Sequence, residues 1–308
     1  SSVIGWPFPL GWIANPMAIL RRKQLVVNVE SSWRANSPRS GWRSRIIAMD
    51  PLRELFARWS CKHASLVLFT QASYRDALCA GRHSASYVTP AVWVNEEDIL
   101  NRKAAEDVWN EKDREPVRLL FAGRLLASKG VDVLLRALDS LNARGLRVHV
   151  DIIGLGGDRR QECVDAAARF NSVRMSVLEP VPYGQAFFSI IRRYHAVLVP
   201  SLTDEQPRIV FDANSQGVPI IASDTDGLRP HVDHEQTGWI IPPGDVDALA
   251  AAVERATTAT VETTITPSTI NGHAHAWPSP MPARLARSAS AVKDSQNAPA
   301  AMNTVPTT

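Results

Sequence analysis

The chain has 308 residues, a length that suits about two domains. Hydrophobic residues make up 45% and charged residues 21% of the sequence, which excludes a wholly disordered or collagen-like chain. The formal net charge of +3 is too small to indicate nucleic-acid binding, so no nucleic-acid partner is expected.

The first 20 residues carry no charge, a length that could cross a bilayer as a helix. Pro7, Pro9 and Pro16 would interrupt such a helix repeatedly. The pattern instead predicts a loop and a short helix that docks on the fold or on a membrane surface. The cations at 21–23 follow this apolar stretch, whereas a secretory signal would carry them in front of it.

The N-terminal part is basic and rich in Trp. Residues 1–90 contain 12 Lys and Arg against 4 Asp and Glu, and seven of the nine Trp lie in the first 110 residues. Such a surface could contact anionic lipid or an amphipathic substrate. Packing inside the domain is an equal alternative for the Trp side chains, and a solvated helix face is the alternative for the Arg side chains. The residues concerned are Trp6, Trp12, Trp33, Trp42, Arg39, Arg43, Arg45, Arg53 and Arg58.

Apolar runs rich in Val and Leu predict buried strands at 25–29 and 64–69, with a basic helix between them at about 44–61. No strand is predicted before residue 25. A polar linker with one short helix follows from Asn95. Strands then alternate with helices, which predicts a parallel sheet covered on both faces. The strands are expected at 118–122, 147–153, 197–200, 219–222 and 238–241, and the helices at 129–141, 161–170 and 207–216.

Beyond residue 256 the sequence is rich in Thr, Ala, Pro and Ser and has no sustained apolar period. Such a segment cannot offset the entropy lost on ordering, so a disordered tail is predicted at 257–308. Three cysteines give neither a paired framework nor a metal-binding spacing, which favours a reduced, cytoplasmic setting.

Ligands of open α/β sheets bind outside the carboxyl ends of the strands, so the loops there are the candidate sites. One such loop carries Gly123, Arg124 and Lys129. Arg offers a planar fork for phosphate oxygens and Lys a compact charge, a pair that suits a diphosphate. Two solvated surface cations are the alternative. A second loop, with Gly154 to Gly157, could let the backbone approach a nucleotide, although glycines are also common in simple turns.

A third loop leads into the helix predicted to begin at Pro207, a residue suited to a first helical turn. The amides of Arg208, Ile209 and Val210 would then point out of the helix N-terminus. The helix dipole reinforces anion binding at that position.

Two carboxylates flank this helix start. Asp212 could accept hydrogen bonds from a ribose, and Asp204 could accept one from a sugar hydroxyl. The alternatives are that Asp204 or Ser201 caps the helix and that Asp212 faces solvent.

Together, residues 118–256 resemble the donor domain of retaining GT-B glycosyltransferases of family 4, also called group 1. The Gly-Arg and Lys-Gly pattern of that family stands at 123–124 and 129–130. Its acidic motif, Glu followed by seven residues and a second Glu, maps onto Asp204 and Asp212. Further landmarks appear in the family's order at Pro207, Ala213, Gly217, Pro219, Asp226, Gly227, Val232, Thr237, Gly238, Pro242, Pro243, Gly244 and Asp245.

The resemblance implies an α/β fold of GT-B type with two Rossmann-like domains, each built on a parallel sheet. It implies a partial acceptor-side domain at 1–115, a donor-binding domain at 116–256 and the tail at 257–308. The N-terminal domain is expected to be incomplete, because no first strand and glycine-rich loop is found before residue 25. Helices that pack back across the cleft are likewise not found after Ala256.

The resemblance further implies a UDP- or GDP-linked sugar donor and a saccharide or lipid-linked acceptor, with retention of configuration at the anomeric carbon and no metal or other cofactor. Peripheral contact with a membrane is a further expectation. The implied catalytic residues are Arg124, Lys129 and Asp204. The implied donor-binding residues are Gly123, Arg124, Lys129, Gly154, Pro207, Arg208, Ile209, Val210 and Asp212, with Asp212 on the ribose and Asp204 on the transferred sugar.

The sequence departs from the family at three places. Asp replaces Glu at both acidic positions, Glu179 and Pro180 stand where Gly is common, and Glu30 and Ser31 stand where a donor-facing His is expected. Two other functions remain open, a non-catalytic remnant that binds a nucleotide sugar and a sugar-nucleotide epimerase. The i, i+3 pair His231 and His234 could suggest a metal, but no third ligand is evident.

Overall fold

The computed structural model of the chain describes residues 2–5, 11–30, 50–79, 85–90, 92–113, 115–154, 156–203 and 208–262. Several predictions fall on residues outside these ranges. They concern Trp6, Trp33, Trp42, Arg39, Arg43, Arg45, Asp204, Pro207 and the tail from residue 263.

The chain divides into two compact units. Within the described ranges, the first unit contains the residues up to Thr89 and the second contains those from Pro90 to Glu262. A domain boundary was predicted between residues 115 and 116, whereas the polar segment at 92–113 groups with the second unit.

The first unit has a four-stranded parallel sheet with the strand order β1-β2-β3-β4. Its buried strands are runs of Val, Leu and Phe, residue types that favour a pleated, buried surface. The strands are β1 (Ser2–Gly5), β2 (Gln24–Val29), β3 (Leu66–Phe69) and β4 (Ser86–Val88), and the described helices are α1 (Gly11–Leu20), α2 (Asp50–His63) and α3 (Ala72–Cys79).

The strand β1 corrects the prediction that no strand precedes residue 25. It pairs in parallel with β2, with Ser2 opposite Gln24 and Gly5 opposite Val27. The prediction was wrong because β1 has four residues and is followed by a stretch with two prolines, which together read as a loop. The short helix predicted after this stretch is confirmed as α1.

The helices α1 and α2 pack against each other in the first unit. The rings of Trp12 and Phe56 lie 5.6 Å apart, and the Asn15 side chain donates a buried hydrogen bond of 3.1 Å to the Ser60 hydroxyl. Trp12 therefore has the packing role that was one of its two predicted alternatives.

The outward face of α1 is apolar. Ile13 and Leu20 are 67% and 81% exposed, and Met17 lies between them on the same side of the helix. Arg58, on the exposed side of α2, forms an ion pair with Glu54 one turn earlier, at 2.8 Å. No helix among the described residues is long and apolar enough to cross a membrane.

All three cysteines of the chain are buried and unpaired. Burial raises the pKa of each thiol, in the case of Cys163 to about 11. Cys61 and Cys79 lie in contact, and each influences the pKa of the other.

The second unit has a six-stranded parallel sheet with the order β10-β9-β8-β5-β6-β7. The predicted strands after residue 115 are confirmed, and each bound lies within two residues of its prediction. The strands are β5 (Val117–Ala122), β6 (Val148–Ile153), β7 (Val173–Leu178), β8 (Ala196–Val199), β9 (Ile220–Ser223) and β10 (Gly238–Ile241). The helices are α4 (Arg102–Asn110), α5 (Val131–Ala143), α6 (Arg160–Arg169), α7 (Gln185–Ile191), α8 (Arg208–Ser215) and α9 (Val246–Glu262).

Two helices of this unit differ from expectation. No helix was predicted over α7 or over α9. The backbone of α9 continues to Glu262, beyond the predicted start of the tail at residue 257.

Both faces of the larger sheet are covered, as the alternation of strands and helices predicts. Leu119 and Phe121 on β5 point to one face and Leu120 points to the other, because successive side chains alternate along a strand. Each face has its own apolar cluster. The first cluster includes Leu134, Leu138, Leu249 and Val253, and the second includes Phe188, Ile191, Val210 and Ala213.

The strand order reverses between β5 and β8. The chain runs outward from β5 through β6 to β7 and then returns to place β8 on the other side of β5. The crevice at this reversal, outside the carboxyl ends of β5 and β8, is the usual ligand position in such sheets.

Candidate functional site

A cavity of about 490 Å³ lies at this reversal point in the second unit. Its floor is formed by the carboxyl ends of β5, β6 and β8, at Ala122, Ile153 and Val199. The described residues that line it are Trp93, Phe121, Ala122, Gly123, Arg124, Lys129, Ile153, Pro180, Val181, Tyr183, Phe187, Leu198, Val199, Ser201, Arg208, Ile209 and Asp212.

The loop after β5 contributes Gly123, Arg124 and Lys129, so the structure brings these three predicted residues to one cavity. The Gly123 amide donates to the Ile153 carbonyl at 3.0 Å, which ties the start of the loop to β6. Arg124 is exposed and Lys129 is half-buried. Both cations thus line the cavity.

Gly130 holds the end of this loop against the loop after β8. It adopts φ = 74°, and a Cβ atom there would lie 1.8 Å from the carbonyl oxygen of Pro200. The Leu202 amide donates to the Ser128 carbonyl at 2.9 Å, which joins the two loops directly. Glycine is required at this position by both the backbone conformation and the close approach.

Two predicted donor-binding residues do not line the cavity. A Cβ atom on Gly154 would lie 2.5 Å from Cγ of Leu125, so this glycine makes room for packing beneath the first loop. Val210 is fully buried in the apolar cluster with Phe188.

The helix α8 contributes Arg208, Ile209 and Asp212 to the cavity. Asp212 is 4% exposed, which excludes the alternative in which it faces solvent. Its carboxylate accepts a hydrogen bond of 2.8 Å from the Tyr183 hydroxyl. Burial raises the pKa of Asp212 to about 6, although the Tyr183 hydrogen bond and the charge of Arg208 oppose this shift.

An aromatic wall, formed by Trp93, Tyr183 and Phe187, was missed by the sequence analysis. The rings of Trp93 and Tyr183 meet edge to face at 5.6 Å, and those of Tyr183 and Phe187 lie 6.2 Å apart. The guanidinium of Arg208 lies 3.5 Å from the centre of the Trp93 ring, which is a cation–π contact. Tyr183 lies in the segment that follows the carboxyl end of β7, and that position was the signal that could have identified it.

Trp93 reaches the cavity because the segment at 92–113 is fixed to the second unit. The Leu100 amide donates to the Ser215 carbonyl at 2.9 Å, and the Gln216 side chain donates to the Asp98 carbonyl at 2.9 Å. Both contacts hold the segment against the C-terminal end of α8. The site is thus assembled from residues between 93 and 212.

The cavity is electropositive. Among the described residues that line it, three are cations and one is a carboxylate that is half-neutralised near pH 6. Apolar and aromatic side chains form much of the remainder. This combination suits an anionic ligand that also carries a planar or apolar part.

Two positions at which the sequence departs from the family, Glu179 and Pro180, lie at or near the cavity. Pro180 lines it, and its neighbour Glu179 forms an ion pair with Arg160. Glu179 is therefore engaged on the surface by a cation.

A larger hollow, of about 860 Å³, lies against His234 beside the edge strand β10. Three of its polar side chains are partnered within the protein: Arg229 pairs with Asp224, and Nδ1 of His234 accepts from the Ile240 amide at 3.0 Å. Among the described residues, no group of three His, Cys, Asp or Glu side chains could hold a metal ion. The pair His231 and His234 thus has no third ligand there.

Asp212→Asn is expected to stabilise the protein at pH 8 by about 1–3 kcal/mol. The folded-state pKa of about 6 lies above the unfolded value of 3.8, so ionising the carboxyl is harder in the folded protein. Above pH 6 the carboxyl is ionised in both states, and the buried charge then lowers the free energy of unfolding by its full amount. The gain should shrink as the pH falls below 6, and at pH 4.5 about a third of it should remain, because the folded carboxyl is then protonated while the unfolded carboxyl is still largely ionised. Urea unfolding at pH 8 and pH 4.5 measures it, with Asp139→Asn at an exposed position as the control. An equal gain at both pH values would contradict the prediction.

Comparison with known proteins identifies the family. The family model for glycosyl transferases group 1 matches residues 102–262, more than half of the chain. The D-inositol 3-phosphate glycosyltransferase of Saccharomonospora viridis is 30% identical over 149 residues, which cover 46% of this chain and 35% of that protein. The chain spans about a third to a half of the length of the curated relatives it matches.

Solved structures share the fold. A sucrose-phosphate synthase from Thermosynechococcus elongatus matches with a TM-score of 0.67 at 17% identity, over 96% of this chain and 71% of that one. The Anabaena protein HepE, solved in complex with UDP-glucose, matches with a TM-score of 0.56 at 17% identity, over 85% of this chain and 70% of that one. The predicted α/β fold of GT-B type, with parallel sheets, is confirmed. On the family match over its second unit, the chain belongs to the glycosyl transferases group 1.

Proposed function

We propose that the chain binds a nucleotide-diphosphate sugar in the cavity at the β5–β8 reversal and transfers the sugar to a saccharide or lipid-linked acceptor. One observation carries this proposal: the cavity collects Arg124 and Lys129 from one loop with Arg208 and the buried Asp212 from a separate helix. Family membership supports it, and so does a structural neighbour that was solved with UDP-glucose.

The cations have a direct role in the proposed reaction. Negative charge grows on the donor diphosphate as its bond to the sugar breaks. Arg124 and Lys129 would stabilise that charge from one side, and Arg208 with the first amides of α8 would do so from the other. The loop and the helix place these groups at the cavity before a donor binds, and the contact with Trp93 orients Arg208. The cations supply the charge that a divalent metal ion would otherwise provide, and chelators should leave the activity unchanged.

The two acidic positions have different proposed roles. Asp212 would accept hydrogen bonds from the donor ribose, for which its buried position on the cavity wall is suited. Asp204, which lies outside the described residues, would hold a hydroxyl of the transferred sugar.

The transfer is proposed to retain the anomeric configuration. The acceptor hydroxyl attacks the anomeric carbon from the face that the diphosphate leaves, and a donor phosphate oxygen takes the hydroxyl proton. The new glycosidic bond replaces the bond between the sugar and the diphosphate, so the products are the glycoside and a nucleoside diphosphate. NMR of the first product formed decides between retention and inversion.

Calorimetry with UDP-, GDP- and ADP-sugars tests donor binding, and we expect at least one of them to bind. Arg124→Ala should weaken that binding, whereas Arg136→Ala, at an exposed position that does not line the cavity, should leave it unchanged. If none of the three donor classes binds, the proposal fails.

A turnover assay on the donor that binds then separates the enzyme from its alternatives. Release of the nucleoside diphosphate indicates transfer or hydrolysis and supports the proposal. Binding without turnover indicates the non-catalytic remnant, and an epimerised sugar nucleotide formed without acceptor indicates the epimerase.

A further inference from the structure

The Tyr183 hydroxyl already donates a hydrogen bond to Asp212, the carboxylate that is proposed to bind the donor ribose. We propose that the Tyr183 hydroxyl competes with the ribose hydroxyls of the nucleotide for Asp212, so that a nucleotide binds fully only after Tyr183 has released the carboxylate. This inference rests on the proposed function, because it takes the cavity to be a nucleotide site.

The contact at Asp212 leaves little room for a second donor. Asp212 is 4% exposed, and its carboxylate accepts from the Tyr183 hydroxyl at 2.8 Å. Among the described residues, this hydroxyl is the one side-chain donor found on it. The hydroxyl groups of a ribose are donors of the same kind. A ribose hydroxyl and the Tyr183 hydroxyl therefore exclude each other where both must reach the buried carboxylate through the same opening.

The Tyr183 hydroxyl remains a donor at all relevant pH values. Burial and the neighbouring Asp212 raise the pKa of Tyr183 well above its usual range. The charged groups that line the same cavity are Arg208 on α8 and the pair Arg124 and Lys129 on the loop after β5. Of these cations, Arg208 favours an ionised Asp212, and an ionised acceptor strengthens the hydrogen bond from Tyr183.

Aromatic contacts hold Tyr183 in this position. Its ring meets Trp93 edge to face at 5.6 Å and Phe188 edge to face at 5.5 Å. Trp93 is held in turn by the guanidinium of Arg208 at 3.5 Å. The closed arrangement therefore links the aromatic wall to a cation of the same cavity.

The surroundings of Tyr183 allow its side chain to move away from Asp212. The side chain is 43% exposed, so it can turn towards solvent without crossing the core. Gly184 follows it with φ = 108°, and no heavy atom lies within 4 Å of the position where a Cβ would stand. A glycine in open space permits the backbone rotation that such a movement needs.

Tyr183→Phe tests the competition because it removes the hydroxyl and keeps the ring. At pH 8, where Asp212 is ionised, the variant should bind a nucleoside diphosphate about tenfold more tightly than the wild type. The probes are UDP, GDP and ADP, each compared with its 2′,3′-dideoxy counterpart by calorimetry. The dideoxy compounds cannot donate to Asp212, so their affinities should be the same for both proteins.

Tyr194→Phe is the matched control. The Tyr194 hydroxyl donates to Asp151 at 2.7 Å in the same unit but does not line the cavity, so its removal should leave every affinity unchanged. Tyr183→Leu provides a second variant without the hydroxyl, and thermal melting checks that each variant is folded.

The outcomes separate the inference from the proposed function. Equal or weaker binding by Tyr183→Phe overturns the competition, and weaker binding means that Tyr183 orients Asp212. An equal gain for the dideoxy compounds also overturns it, because the hydroxyl would then act on something other than the ribose. If the wild type binds none of the three nucleoside diphosphates, the proposed function itself fails, and the wild type alone shows this.

Discussion

Arg124→Ala and Lys129→Ala should each lower sugar transfer by about a hundredfold or more while leaving the fold intact. Both side chains line the cavity, where they would face the diphosphate as its charge develops, and neither belongs to an apolar cluster of the second unit. Turnover with the donor selected by calorimetry measures the loss, and circular dichroism with thermal melting checks the fold.

Arg136→Ala removes an exposed cation from outside the cavity and should retain full turnover, which controls for the change in net charge. Arg124→Lys should recover part of the activity, since it keeps the charge but loses the planar fork that matches phosphate oxygens. Near-normal turnover in either alanine variant would overturn the assignment of the site.

Gly130→Ala should destabilise the protein by about 3 kcal/mol and weaken donor binding as well. Two costs combine at this position, a left-handed backbone with φ = 74° and a Cβ atom placed 1.8 Å from the Pro200 carbonyl oxygen. The second cost can be relieved only by moving the loops that carry Lys129 and Ser201, both of which line the cavity.

Gly145→Ala is the matched control for this substitution. Gly145 has φ = 78°, and nothing lies within 4 Å of its Cβ position, so alanine there should cost only about 1–2 kcal/mol for the backbone conformation. Urea unfolding of both variants isolates the effect of the close approach. Equal losses in the two variants would contradict the proposed contact between the loops.

The sequence predicted the larger sheet well because its strands are clear apolar runs bounded by turn residues. The loop with Arg124 and Lys129 followed from the same pattern, since loops at the carboxyl ends of parallel strands converge. The strand at Ser2–Gly5 was missed because a short strand followed by prolines has no distinctive period.

The aromatic wall and the raised pKa of Asp212 could not be predicted from the sequence, for a different reason. Trp93, Tyr183 and Arg208 are separated by tens of residues along the chain, and only the folded backbone brings them together. The burial that raises the pKa of Asp212 likewise depends on its neighbours in space. Helical spacing alone left this residue free to face either solvent or the cavity.

The burial of all three cysteines has a practical consequence for spectroscopy. Cys61, Cys79 and Cys163 are buried and have raised pKa values, so maleimide reagents, which attack exposed thiolates, should leave the native protein unlabelled. A cysteine introduced at the exposed Ser128, in the loop beside the cavity, would then carry a dye at a single known position. Its fluorescence could report nucleotide binding without the removal of any natural thiol.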